Sequence, residues 1–219
     1  MNKRSILVIA GASGVGKTTI AARLLSEYSE FGFVRSVTTR APRGDGHDDE
    51  YIYKSREEFL SLIEENALLE YMEYGENMYG TPAAELERIF GEGKIPLLIL
   101  DIEGVKSLRR RKNDFLPIII YIWENLDNIE KRLYLRDLSE NPTAEKFLSF
   151  VKRKNANLRD YQNMPTIVDL FDAFVKNESP DSSALIIKNI FDGISLGESV
   201  PTSDNEKIAK KLYEMATEK

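Results

Sequence analysis

The chain has 219 residues, 42% of them hydrophobic and 30% charged, which excludes disordered and collagen-like polymers and leaves enough apolar side chains for one full domain with an insertion. The formal net charge of −6 argues against bulk attraction to nucleic acid or an anionic membrane, although a local basic site is compatible with it. Zero cysteines exclude disulfides, thiolate metal sites and cysteine nucleophiles and fit a reducing, cytoplasmic compartment, while the single histidine, His47, excludes a multi-histidine metal site.

No stretch approaches the roughly 18 apolar residues of a membrane span. Lys3 and Arg4 precede Ile6-Leu7-Val8-Ile9-Ala10, a run too short for the apolar region of a signal peptide, so it reads as a buried first strand. Residues 17–28 read as the first helix. Between 36 and 80 the character changes. Residues 51–53 and the tyrosine- and glutamate-rich 68–74 are strand-like, which suggests a small, partly antiparallel insertion after the second core strand. Inside it, Ser55-Arg56-Glu57-Glu58 is a capping box that opens a helix to about residue 65. Thr81-Pro82 reads as a cap followed by proline at the first helical position, with a helix to about residue 90 that stops at Gly91 and Gly93.

Residues 95–100 and 118–123 are near-continuous apolar runs, as buried parallel strands are, and 171–175 is a weaker one. Residues 125–164 form a second insertion, helical and polar, with Phe147, Phe150, Val151, Leu158 and Tyr161 spaced for one helix face. Residues 182–191 read as a last core helix and 193–204 as a linker. A final helix follows, with Ser203 and Glu206 as a capping box and Ile208, Leu212 and Met215 as its apolar stripe. The alternation of strands and helices predicts an α/β fold with a parallel sheet covered by helices on both faces.

Gly11-Ala12-Ser13-Gly14-Val15-Gly16-Lys17-Thr18 matches G-x-x-x-x-G-K-[ST], directly after a predicted strand and opening a predicted helix. The glycines let successive backbone N–H groups curl around phosphate oxygens, and the helix N-terminus adds its positive end. Lys17 then reaches the β- and γ-phosphates, and the Thr18 hydroxyl is suited to Mg²⁺. Thr19 continues the same first turn as a further candidate contact. The pattern implies binding of a nucleoside triphosphate without specifying the reaction.

Arg40 and Arg43 flank Pro42, two guanidinium forks that suit a second phosphate, although such a pair in isolation also reads as solvated loop arginines. The segment Ser36–Arg43, Tyr51, Ser55-Arg56-Glu57-Glu58-Phe59, Leu69-Glu70-Tyr71, Tyr79-Gly80-Thr81-Pro82 and Asp101-Ile102-Glu103-Gly104 together resemble guanylate kinases, in order and at family spacing, over about residues 6–191. The resemblance implies a three-layer P-loop core (1–35, 92–124 and 165–192), a mixed α/β insertion that binds GMP (36–91), a helical lid (125–164), and a linker with a C-terminal helix (193–219). It also implies transfer of the γ-phosphoryl group of ATP to GMP, giving ADP and GDP. Arg40, Arg43, Tyr51 and Tyr79 match the residues that hold the acceptor phosphate in that family. Glu70, Ser36 and Thr81 match those that read guanine, and Asp101 matches an aspartate between the two nucleotides.

The base assignment has a physical basis. Guanine presents N1–H and its 2-amino group side by side; a carboxylate such as Glu70 accepts both, while a hydroxyl such as Thr81 is suited to donate to O6. Adenine leaves that carboxylate unpaired, enough for roughly 10³-fold selectivity.

In the lid, Arg132-Leu133 and Arg136 match a family pair that surrounds the migrating group as closure excludes water. Solvated surface charge is the other reading of this helix. The sequence departs from the family at Asp137-Leu138 after that pair, at Glu103, at Met78 and in the loop 44–50, and a third family arginine falls at Phe150, with Lys152 or Arg153 nearby. His47-Asp48-Asp49-Glu50 reads as a solvated acidic loop rather than a metal site, and Arg109-Arg110-Arg111-Lys112 as a helix end whose cations complement its dipole. Two rival functions stand beside the kinase: a silent guanylate kinase-like interaction module, against which the intact phosphate loop argues, and a P-loop kinase with another small acceptor.

Overall fold

The computed structural model describes residues 4–42, 48–74, 76–110, 115–139 and 141–218. Among those residues nine strands form a five-stranded sheet and a four-stranded sheet, accompanied by eight α-helices. Their layout is the expected α/β arrangement with parallel strand pairs. The chain divides into two compact units: one takes the described residues up to 8 and those of 25–117, the other takes 9–24 and those from 118 onward.

β1 (Arg4–Gly11) is almost wholly buried from Ile6 on, as its apolar run requires. In the first unit β2 (Phe31–Phe33) pairs in parallel with β7 (Ile95–Ile99). In the second, β8 (Phe115–Trp123) pairs in parallel with β9 (Ala173–Lys176), Ile120 opposite Ala173. The order in the five-stranded sheet is β2-β7-β1-β8-β9. The weak apolar run at 171–175 thus becomes a strand that starts two residues later and ends one residue later. Phe171 instead packs its ring on Tyr121 at 4.8 Å.

The insertion of the first unit is a small mixed sheet of order β4-β3-β6-β5. β3 (Ser36–Thr38) runs parallel to β4 (Tyr51–Tyr53) and antiparallel to β6 (Asn77–Pro82), which pairs antiparallel with β5 (Leu68–Tyr74). Val37, Phe59, Leu68 and Met78 make its own core, so the methionine that departs from the family pattern is a packing residue. α2 (Arg56–Glu64) opens on the expected capping box, with both Ser55–Glu58 bonds formed. α3 (Ala83–Gly91) has no side-chain cap. Thr81 lies within β6, and its hydroxyl is used elsewhere, which corrects the expected Thr81 cap.

In the second unit α1 (Lys17–Glu27) follows the glycine-rich loop, and α5 (Leu126–Asp137) and α6 (Ala144–Ile167) fill the helical insertion. The buried face of α6 carries Phe150, Asn157, Tyr161 and Met164. Phe147 is 55% exposed and Leu158 half-buried, so the expected stripe is rotated toward a face that accepts one polar residue. α7 (Pro180–Ser195) starts on a Ser179 cap. α8 (Thr202–Thr217) begins one residue before the expected capping box and has no side-chain cap. Asn205, Ala209, Leu212 and Ala216 form its buried stripe, with Ile208 and Met215 half-buried. α4 (Ile102–Arg110) completes the first unit. Among the described residues no helix is long and apolar enough to cross a membrane.

Candidate functional site

The phosphate loop of the second unit joins β1 to α1, so the first helical N–H groups open onto it. Gly11 has φ +150°, and a Cβ there would stand 2.4 Å from the Ile122 carbonyl oxygen. At Gly16 (φ +106°) a Cβ would stand 2.5 Å from Asn177 Nδ2. No other residue fits either place without moving its neighbour.

Lys17 Nζ donates to the carbonyls of Gly11 at 2.7 Å and Ala12 at 3.0 Å, which holds the ammonium along the loop. Thr18 is half-buried and Thr19 exposed on the first turn of α1.

Three side chains from distant elements brace the loop. Arg132 Nη1 on α5 donates to the Val15 carbonyl at 3.1 Å, and its Nη2 lies 3.8 Å from the buried Glu124. Asn177, just past β9, donates to the same carbonyl at 2.7 Å and accepts from Ser183 Oγ at 3.2 Å. Asn157 on α6 accepts from Ser13 N at 2.8 Å and donates to Ser13 O at 2.9 Å. The structure therefore brings Arg132 to the phosphate loop as expected. It directs Arg136 to its neighbour Asp137 instead, with Nε–Oδ1 at 2.8 Å and Nη2–Oδ2 at 3.2 Å. Arg153 Nη1 approaches the same carboxylate at 3.6 Å. Phe150 is buried with its ring edge-on to Tyr134, a packing residue.

Sequence reasoning missed Asn157 and Asn177. A polar residue at apolar-face spacing in α6, and another ending a buried strand, were the available signals.

In the first unit, β5 and β6 set Glu70 opposite Thr81. Both are buried, and Thr81 Oγ1 donates to Glu70 Oε1 at 2.6 Å, so its one proton goes to the carboxylate and not to guanine O6 as expected. Gly104, in α4, lies where a Cβ would stand 3.2 Å from Glu70 Oε2 and 3.4 Å from Asp101 Oδ1. The Asp101 carboxylate is exposed and accepts from Gly104 N at 2.8 Å, which caps the start of α4.

Ser36 opens β3, half-buried. Thr38 Oγ1 donates to the Met78 carbonyl at 2.9 Å and accepts from Arg40 N at 3.2 Å, so the chain after β3 is held against β6. The Arg40 guanidinium lies 5.1 Å from the centre of the Tyr51 ring, and its Nη1 is buried with no hydrogen-bond partner among the described residues. Tyr51 and Tyr79 meet edge to face at 6.4 Å. Arg40, Tyr51 and Tyr79 thus come together. Arg43 and His47 lie outside the described residues, as do Arg111 and Lys112. Arg109, of that basic run, donates to the Pro117 carbonyl at 3.5 Å. Among the described residues no cluster of three or more carboxylates or histidines could hold a metal.

Directly before Ser36, Arg35 pairs with buried Glu85 on α3 through Nη2–Oε1 at 2.9 Å and Nε–Oε2 at 3.1 Å, and Arg88 adds Nη2–Oε2 at 3.0 Å. The Arg35 hydrogen bond, more than any other influence, pulls the Glu85 carboxyl down to about 2. The pair anchors the entry to the acceptor strands.

The guanylate kinase family model matches residues 3–193. A guanylate kinase from Prochlorococcus marinus is 30% identical over 190 residues, covering 86% of this chain and 97% of that protein. One from Mycoplasmopsis pulmonis is 33% identical over 196 residues, covering 87% and 95%. One from Sus scrofa is 31% identical over 185 residues, covering 83% and 89%. Among solved structures, guanylate kinase from Anaplasma phagocytophilum superimposes with a TM-score of 0.63 at 25% identity, covering 89% of this chain and 88% of that one.

Proposed function

The chain belongs to the guanylate kinase family and is a phosphotransferase that moves the γ-phosphoryl group of ATP onto GMP, and on that premise we propose which residues carry the transfer. The GMP phosphate is held by Arg40, Arg43, Tyr51 and Tyr79. A buried guanidinium nitrogen that finds no acceptor among the described residues is a group that an incoming phosphate oxygen satisfies. Guanine is read by Glu70, with Ser36 and Thr81 at its edges, and Asp101 lies between the two nucleotides. The Thr81 hydroxyl spends its proton on Glu70, so it steadies the carboxylate that accepts N1–H and the 2-amino group. The observation that carries the acceptor reading is this buried Glu70–Thr81 pair.

On the donor side the backbone of residues 11–19 cradles the ATP phosphates. Lys17 leaves the carbonyls of Gly11 and Ala12 for the β- and γ-phosphates. In the transfer a GMP phosphate oxygen forms its bond to the γ-phosphorus while the bond from that phosphorus to the β–γ bridging oxygen breaks, and ADP leaves with the electron pair. Positioning and charge neutralisation dominate such a reaction, so Lys17 and Arg132 supply positive charge at the loop, and Arg136 joins them on leaving Asp137. The Thr18 hydroxyl, a hard oxygen donor in the first turn of α1, fits Mg²⁺, which prefers oxygen ligands and keeps most of its shell for water and phosphate. Mg²⁺ bound with ATP supplies neutralisation of phosphate charge.

We assign residues 36–91 to acceptor binding, 125–164 to the lid, and 1–35, 92–124 and 165–192 to the nucleotide-binding core. The absence of cysteine in the sequence supports work in the reducing cytoplasm. A coupled ADP-release assay across GMP, dGMP, AMP, UMP and CMP tests the reading. Turnover with GMP and none with AMP, UMP or CMP is expected, and AMP serving as well as GMP would reject Glu70 as the base reader.

A further inference from the structure

Arg132 and Asn177 brace the phosphate loop through one carbonyl, that of Val15, whereas Asn157 engages both polar groups of a single residue. Its amide oxygen accepts the Ser13 N–H at 2.8 Å and its amide nitrogen donates to the Ser13 carbonyl at 2.9 Å. Asn157 is 3% exposed, an amide on the same buried face of α6 as Phe150, Tyr161 and Met164. A primary amide used this way fixes Ser13 as a neighbouring strand would. The residue that follows, Gly14, has φ +83°, a conformation that glycine also leaves easily, so bracing from outside the loop decides where its N–H groups point.

The helix that carries Asn157 is itself held. α8 packs along α6, with Ala209, Leu212 and Ala216 buried, and Gln162 Nε2 on α6 donates to the Ala216 carbonyl at 3.4 Å. Asn205 Nδ2 ties the start of α8 to the Asp172 carbonyl at 3.2 Å, and Lys211 Nζ lies 5.0 Å from the centre of the Trp123 ring. α8 falls beyond residues 3–193, where the family model matches.

We propose that Asn157 is a positioning residue for the donor phosphates, acting through Ser13, and that α8 is the strap that sets α6 so that Asn157 meets the loop. The inference rests on residues 11–18 being the ATP phosphate site.

The test uses the full-length chain, with ATP and GMP varied separately in steady state and Mg·ADP binding measured by calorimetry. Asn157→Ala leaves the Ser13 N–H and carbonyl unpaired in a part-buried place, so KM for ATP and Kd for Mg·ADP rise about tenfold while KM for GMP stays within about twofold. Leu212→Ala raises KM for ATP about threefold with the same indifference to GMP, and the double variant is no worse than Asn157→Ala alone, because the strap acts through that one side chain. Equal rises in both Michaelis constants, or no rise in either, overturn the role of Asn157, and an additive double variant overturns the strap. If Asn157→Ala does not fold, Asn157→Ser keeps one hydroxyl for the Ser13 peptide and is expected to raise KM for ATP about threefold; no change there also overturns the proposal. Failure of the unaltered protein to bind Mg·ADP is a different result, which removes the nucleotide reading and this inference with it.

Discussion

Thr81 Oγ1 and Glu70 Oε1 stand 2.6 Å apart across the β5–β6 pair, with the hydroxyl donating and both side chains buried. The bond satisfies one carboxylate oxygen and fixes the direction of the other. That second oxygen faces Gly104, where any Cβ would come within 3.2 Å of it, so the glycine keeps room beside the acceptor carboxylate.

Glu70→Gln replaces one of two parallel acceptors with a donor aimed at a donor. KM for GMP should rise roughly 10²-fold or more while KM for ATP changes little, read from initial rates with each substrate varied in turn. An unchanged KM for GMP removes Glu70 from the base site.

Lys17→Ala should abolish phosphoryl transfer while thermal unfolding shifts by no more than about 3 °C, since the ammonium bonds the loop carbonyls of Gly11 and Ala12 and is not part of the apolar core. Near-normal turnover would reject the donor site.

Arg132 already touches the phosphate loop, and Arg136 stands one helical turn further along α5, paired with Asp137. Arg132→Ala and Arg136→Ala should each lower kcat roughly 10²-fold with little change in GMP affinity, as loss of a positive charge at the transferring group does. Phe150→Arg should not raise activity and should lower the melting temperature, because it sets a charge where Phe150 packs on Tyr134. Wild-type turnover in both alanine variants would leave these arginines as surface charge.

Arg40→Met should raise KM for GMP and lower kcat, because it removes a charge-assisted contact and loosens the in-line geometry. Normal GMP binding by calorimetry in this variant would reject the acceptor-phosphate assignment.

Glu85 sets a pH dependence of stability. Its carboxyl titrates at about 2 in the folded chain against an ordinary 4.5, chiefly because Arg35 hydrogen-bonds to the ionised form. The unfolded chain therefore takes up this proton first as pH falls. The stabilisation is fully present above about pH 4.5 and is lost progressively toward about pH 2. Melting temperature followed over that window should fall more steeply for the unaltered protein than for Glu85→Gln, which has no proton to gain. Parallel curves would show that Arg35 and Arg88 do not hold the carboxylate in solution.

What the sequence by itself determined follows from short-range rules. The phosphate loop at 11–18, the Ser55–Glu58 capping box, the buried strands at β1, β7 and β8, and the insertion between 36 and 80 each depend on spacing within a few residues, where sterics and local hydrogen bonding decide the outcome. Only the tertiary structure decided the rest. Thr81 had a helix cap open to it and a buried carboxylate as well, and the β5–β6 register gave its hydroxyl to Glu70. Asn157 meets Ser13 across 144 positions, and Asn177 meets Val15 across 162. The partner of a buried amide is set by which helix passes it after the core has packed, and no local pattern encodes that distance.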